Sequence, residues 1–256
     1  MTRYAPRRLA LAATLLPLAL GLGGCGKDDK SADTAGSPTG TPVTSVAPPQ
    51  GQAWSGVVAK TPEGGYRMGN PNAAIKLVEY GSLTCPHCAE FAKESGDELR
   101  TGFVDSGRVS FEFRNFVRDP IDLTAALLTH CGAPETFFAL THEVFANQQS
   151  IFEKVQGPGS EAALAKAAAL PGNQRFLALA QLTGLTDLFA ARGVPRSQAE
   201  TCLANTATAE ALAKATNEQG KEFGVEGTPT FLINGQKGET VGWKELKARL
   251  QAAGAR

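Results

Sequence analysis

The stretch Ile75-Lys76-Leu77-Val78-Glu79-Tyr80, continued by Gly81-Ser82-Leu83-Thr84 and then by Cys85-Pro86-His87-Cys88, decides the fold. Its first six residues form a compact apolar strand, the next four a turn, and residues 85 to about 101 have helix-forming composition. Two thiols three positions apart thus sit where a strand ends and a helix begins. Cys85 is expected at the helix N-terminus, where unpaired N–H groups and the positive end of the dipole favour thiolate over thiol. Cys88 lies one turn further in. A free cysteine titrates near ~8.5 and CxxC placement at a helix start lowers that value, so Cys85 is the expected nucleophile. Pro86 suits the first helical turn because it has no N–H to leave unsatisfied there. His87 adds a ring able to donate a hydrogen bond or carry positive charge beside Cys85. A more stable thiolate favours the reduced form and makes the disulfide more oxidising, which points toward disulfide donation.

Competing readings of the CPHC segment fail on neighbouring residues. Covalent haem attachment needs a His directly after the second Cys, and Ala89 stands there. A zinc site usually needs a second close Cys/His pair, whereas His130 and Cys131 are adjacent and His142 and Cys202 are scattered. The strand-to-helix setting argues against a chance pair of structural thiols. The expectation is therefore redox chemistry with no metal, flavin or nucleotide cofactor.

Outward from this segment, residues 55–60 and 66–68 read as a hairpin around Pro62-Glu63-Gly64-Gly65, followed by a turn at Gly69-Asn70-Pro71-Asn72. Residues 109–116 alternate as a strand does. From 119 to 223 the pattern is helical, with breaks at Gly132-Ala133-Pro134, Gly157-Pro158-Gly159, Pro171-Gly172 and Gly193-Val194-Pro195. Strand character returns at residues 230–233, turns at Asn234-Gly235, resumes around 239–241, and gives way to a helix over 243–252. The fold class is α/β: a thioredoxin-like fold with a helical insertion, at about 119–223, between a βαβ half and a C-terminal ββα half. The folded domain is expected over 53–256.

The first 24 residues have the layout of a secretory signal: Arg3, Arg7 and Arg8 precede a short apolar run over 9–22 that contains Pro17. That run ends in Leu22-Gly23-Gly24-Cys25, similar to a bacterial lipobox, so Cys25 is the expected lipidation site; ordinary cleavage nearby is the alternative. Residues 25–52 are rich in Lys, Asp, Ser, Thr, Gly and Pro and cannot bury enough surface to offset the entropy of ordering, so they read as a disordered tether. The expected location is the periplasm, anchored by lipid to a membrane. The whole chain has 25 basic and 25 acidic residues, and loss of the leader's three Arg leaves a net charge of −3. No basic footprint for nucleic acid follows.

Gly69-Asn70-Pro71-Asn72-Ala73-Ala74 running into residues 75–80 and then CPHC, together with Gly227-Thr228-Pro229-Thr230-Phe231 near the C-terminus, resembles the DsbA-like thioredoxin-fold family over roughly residues 53–256. The resemblance implies that Pro229 is cis and faces the active-site disulfide, and that Thr228 offers backbone hydrogen bonds to a bound substrate strand; a simple turn is the plainer alternative. It also implies that Glu79 helps move protons at the buried second Cys. A carboxylate in an apolar strand asks for such a reason, although a strand end facing solvent would also accommodate it. Classical members usually carry Val where this chain has Thr228, and Thr there is commoner in isomerases. Isomerases of the DsbC type carry an N-terminal dimerisation domain, and a tether occupies that place here, so a monomer is expected.

The reading that follows is disulfide donation to exported thiol-containing client proteins through a mixed disulfide at Cys85. A quinone-linked membrane partner of the DsbB type would reoxidise the enzyme. The rivals are a reductase or isomerase kept reduced from the membrane, and an anchored chaperone without redox turnover. Cys131 and Cys202 are expected to form a structural disulfide across 71 residues, worth roughly 4 kcal/mol in the chain-entropy model; two buried thiols are the alternative. His130 and His142 read as structural or surface residues. Phe137, Phe138, Val144 and Phe145 fit either core packing or a peptide-binding patch.

Overall fold

The structure, a computed structural model, describes residues 40–238 and 242–256. The expected leader, Cys25, the first part of the tether and the strand expected around 239–241 lie outside the described residues. Six strands form one sheet: β1 (Val58–Lys60), β2 (Tyr66–Met68), β3 (Ile75–Gly81), β4 (Val109–Asn115), β5 (Thr230–Ile233) and β6 (Gln236–Lys237). Their spatial order is β1-β2-β4-β3-β5-β6. β3 runs parallel to β4 and antiparallel to β5, so the strand that leads into CPHC is central and Glu79 lies between Phe113 and Phe231.

Alternation along β3 divides the core. Ile75 and Leu77 face a large cluster that includes Cys88, Phe91, Phe113, Phe231 and Trp243. Val78 and Tyr80 face a smaller one with Val225 and Leu232, covered by Phe116 and Phe223. Both faces of this strand are thus buried, which is why it reads as a continuous apolar run. Helix α1 (Pro86–Glu98) follows the turn after β3 and continues into a wider turn over Leu99–Val104. It packs on the C-terminal helix α10 (Trp243–Ala252), with the Phe91 ring 4.5 Å from Phe231 and 6.3 Å from Trp243.

The insertion comprises α2 (Pro120–Thr129), α3 (Phe137–Ala146), α4 (Gln148–Gln156), α5 (Ser160–Ala168), α6 (Gly172–Thr183), α7 (Leu185–Ala190), α8 (Arg196–Leu203) and α9 (Thr206–Phe223). Helices break at the Gly and Pro positions that the sequence marks. They also break at Asn147, at Gly184 with φ 76°, and at Asn205, whose side chain accepts from Thr208 N. Cys131, just past α2, is bonded to Cys202 of α8.

Two expectations are corrected. Residues 54–56 form a 3₁₀ turn rather than the start of β1, because tertiary partners claim the chain there: Trp54 Nε1 donates to Val46 O at 2.7 Å and Ser55 N to Asp105 Oδ1 at 2.7 Å. After the Asn234-Gly235 turn, where φ is 51° and 78°, the chain pairs at once as Gln236–Lys237; the strand expected around 239–241 stays outside the described residues. The tether does not run free to residue 52. Its described part has neither helix nor strand, yet it is fastened to the domain by Val43 N to Gly254 O (2.9 Å), Arg108 Nε to Val43 O (2.7 Å) and Val46 N to Ser106 O (3.0 Å). Val43 also packs on the large core. Few apolar residues suffice when the backbone finds partners on the domain.

Candidate active site

Cys85 caps α1, with extended backbone (φ −88°, ψ 119°), and Pro86 is the first helical residue. Both active-site cysteines are free thiols. The Thr228–Pro229 bond is cis. Cys85 Sγ donates to Thr228 O at 3.2 Å, so the loop before β5 meets the start of α1 at the sulfur.

The two thiols have opposite electrostatics. Cys85 is pushed down to about 5, chiefly by a hydrogen bond from the Cys88 thiol; burial opposes this, and the Thr228 hydroxyl and the backbone N–H groups of Cys88 and His87 assist. The Thr228 hydroxyl is buried and has no hydrogen-bond partner. Cys88 is fully buried, and burial first, then the hydrogen bond to Cys85 and the charges of Glu79 and Cys85, push its thiol far above the ordinary range. A hydrogen bond from the Ser82 backbone pulls the other way.

Glu79 is only 3% exposed, which removes the solvent-facing alternative. Burial, and then the nearby Cys85 charge, raise its carboxyl to about 8. Its Oε1 lacks a hydrogen-bond partner. A Cβ at Gly81 would come within 2.9 Å of that oxygen and 2.4 Å of the Phe113 ring, so glycine at the end of β3 is what lets both side chains fold over the strand. The His87 ring is turned to solvent, with Nδ1 3.6 Å from Glu90 Oε2. What this residue gives to the Cys85 sulfur in this geometry is its backbone N–H, in place of the ring contact expected from the sequence.

A second group of residues, not singled out in the sequence, holds the turn before Cys85. Asp122 accepts from Ser82 Oγ (2.6 Å), Leu83 N (2.8 Å) and Arg118 N (3.0 Å). Asp119 caps α2 through Ile121 N and Asp122 N and also accepts from Thr84 Oγ1 at 2.6 Å. Gln148 Nε2 donates to Leu83 O (2.9 Å) and Cys85 O (3.1 Å). The legible signal was Asp119-Pro120, a helix-start pair; its reach to residues 82–85 is long-range and leaves no local mark.

Other candidates are structural. His130, half-buried beside Tyr66 and Phe137, pairs with Asn115 at 2.8 Å and is pushed down to about 3, chiefly by desolvation of its ring. Phe137 and Val144 are core residues, with Phe137 stacked on Tyr66 at 4.0 Å, so the patch alternative does not hold for them. Among the described residues no group of three or more His, Cys, Asp or Glu is arranged to hold a metal, and no helix is long and apolar enough to cross a membrane. A cleft of about 500 Å³ is bordered by His87, Glu90, Glu94, Pro229 and Trp243, between the first turns of α1 and α10 and the cis Pro229.

The sequence model of the family described as thioredoxin matches residues 61–252. The solved protein-disulfide isomerase from Novosphingobium aromaticivorans is 38% identical, with a TM-score of 0.69, over 73% of this chain and 95% of that one. The chain belongs to the DsbA-like thiol-disulfide oxidoreductase family. Wolbachia pipientis alpha-DsbA1 shares the DsbA-like fold at 22% identity, with a TM-score of 0.56 over 74% of this chain and 91% of that one. A protein of Rickettsia bellii named as a protein-disulfide oxidoreductase is 27% identical over 197 residues, 77% of this chain and 67% of its own length. The chain covers 56% of a relative of the same name from Rickettsia felis. The family model's match over residues 61–252 spans both cysteines, Glu79, Pro229 and the insertion.

Proposed function

We propose that this DsbA-like protein donates its Cys85–Cys88 disulfide to exported client proteins. The observation that carries the reading is the inequality of the thiols: Cys85 is held down to about 5 while Cys88 is raised. A thiolate stabilised in the reduced form makes the disulfide a stronger oxidant and makes Cys85 the better leaving group when a client is released.

In the first step a client thiolate forms a bond to Cys85 Sγ, the Cys85–Cys88 bond breaks, and its electron pair leaves on Cys88 Sγ. Glu79, protonated below about pH 8, is the buried acid within electrostatic reach of that sulfur and supplies the proton. A second client thiolate then attacks the client sulfur of the mixed disulfide and releases Cys85 as a thiolate. An incoming extended strand would pair with the Thr228 backbone, whose O lies 3.2 Å from Cys85 Sγ. The proposed setting is the periplasm, with lipid attachment through Cys25, a monomeric enzyme, and a quinone-linked membrane partner of the DsbB type as reoxidant. Thr228 in place of Val keeps a reductase or isomerase as the second reading.

The test mixes oxidised protein with a reduced two-cysteine client. One client disulfide should form per enzyme disulfide lost, and Cys88→Ala, mixed instead with the oxidised client, should hold it as a mixed disulfide at Cys85. Failure of the client to oxidise while the enzyme remains oxidised would exclude donation.

A further inference from the structure

A second cleft, of about 490 Å³, lies on the face of α1 that carries Ala92 and Ser95, away from the face with Glu90 and Glu94. Its floor is the sheet, where Glu79 of β3 stands in register beside Phe113 of β4, and Phe111 lies two residues earlier on the same strand. Its far wall is α3, which contributes Phe138, Thr141 and Phe145. Sequence alone leaves Phe138 and Phe145 between core packing and a binding patch. Both line this cleft, with ring centroids 5.6 Å from Phe111 and 6.2 Å from Phe113, respectively. Exposed lining residues, Lys93, Asp97, Glu135 and His142, mark its mouth.

Two buried polar atoms in these walls have no hydrogen-bond partner: Glu79 Oε1 and Thr141 Oγ1, on residues 3% and 5% exposed. A buried helical threonine ordinarily returns its hydroxyl to a carbonyl one turn back. Thr124 does so to Pro120 O and Thr183 to Leu179 O, both at 2.7 Å, and Thr141 does not. An unpaired buried polar group is costly, so both atoms call for a partner. A water held inside a protein makes about three hydrogen bonds, and aromatic walls supply too few for water to fill a space of this size. An apolar cleft with a few convergent polar groups has instead the make-up of a small-molecule site. Burial keeps the Glu79 carboxyl protonated below about pH 8, so at neutral pH it offers no charge to an ammonium group. We infer that this cleft binds a small neutral alcohol whose aromatic body lies against Phe113, Phe138 and Phe145 and whose hydroxyl pairs with Glu79 Oε1 and Thr141 Oγ1. Binding here goes beyond disulfide exchange and does not depend on its direction.

The experiment titrates the reduced full-length protein with para-fluorobenzyl alcohol near pH 7 and follows the bound fraction by fluorine NMR. Para-fluorotoluene, the same body without the hydroxyl, is the comparison. The alcohol should bind saturably and about tenfold more tightly, as for one hydrogen bond made to groups otherwise left unpaired. Thr141→Val keeps the side-chain shape and removes the hydroxyl, and it should erase most of that preference while para-fluorotoluene binds as before. Ala92→Phe places a ring in the cleft and should abolish binding of both compounds. Thr141→Val decides the matter if Ala92→Phe does not fold. Absence of saturable binding, the result for a cleft that holds only water, would overturn the inference. Equal affinity for the two compounds would overturn it too, as would a preference for the alcohol that survives Thr141→Val or binding that survives Ala92→Phe.

Discussion

At the scale of the residue, the site is governed by groups that burial separates. Glu79 titrates near 8 against an ordinary 4.5, chiefly through burial. The folded state therefore holds this proton more tightly than the unfolded chain. The resulting stability is complete below about pH 4 and is lost as pH rises through about 8. Cys85 runs oppositely in the reduced protein: its depressed value gives stability that is present above about pH 9 and lost as pH falls through about 5. Glu79→Gln removes the first effect and leaves the second. Between about pH 5 and pH 9 the melting temperature of wild type should thus fall relative to Glu79→Gln; parallel curves would show that Glu79 is not the proton holder described. Cys85 and Cys88 were legible because their spacing and neighbours carry the chemistry, and Pro229 only through the resemblance of residues 227–231 to the DsbA-like family. Glu79 was legible only as a choice, since alternation along β3 does not say which face α1 will cover. Asp122 gave no signal, because an acid in the first turn of a helix is ordinary.

At the scale of the element, two links join the helical insertion to the catalytic half and to itself. The first is the hold of α2 and α4 on residues 82–85. The second is the Cys131–Cys202 bond, which ties the end of α2 to α8 across 71 residues. Replacing both cysteines with Ala should lower stability by roughly 4 kcal/mol at most, seen as an earlier urea midpoint with the fold retained. An unchanged midpoint would mean that α2, α6 and α8 hold together without it. Helix breaks at Gly and Pro were readable because those residues act locally. Those at Asn147 and Asn205 were not, since packing of the neighbouring helices decides where such residues end a helix. The 3₁₀ turn at Trp54 was missed for the same kind of reason: its indole finds a carbonyl in residue 46, on a segment that reads as featureless.

At the scale of the whole molecule, the α/β order and the place of the insertion were legible because each half carries its own periodicity and turn residues. The fastening of residues 43–46 to the domain was not, because it consists of backbone hydrogen bonds that no side-chain pattern announces. A spacer beginning at Cys25 would therefore be shorter than composition alone suggests. The proposed anchor predicts that labelled palmitate enters wild type and not Cys25→Ser; equal labelling would reject it. The central claim is that the fold makes the Cys85–Cys88 disulfide an oxidant, and its most direct measure is the redox equilibrium of this pair against glutathione. We expect a potential nearer to about −120 mV, typical of strong oxidants, than to about −270 mV, typical of thioredoxin-like reductants. A value at or below about −250 mV, with Cys85 titrating as an ordinary thiol near ~8.5, would contradict the account.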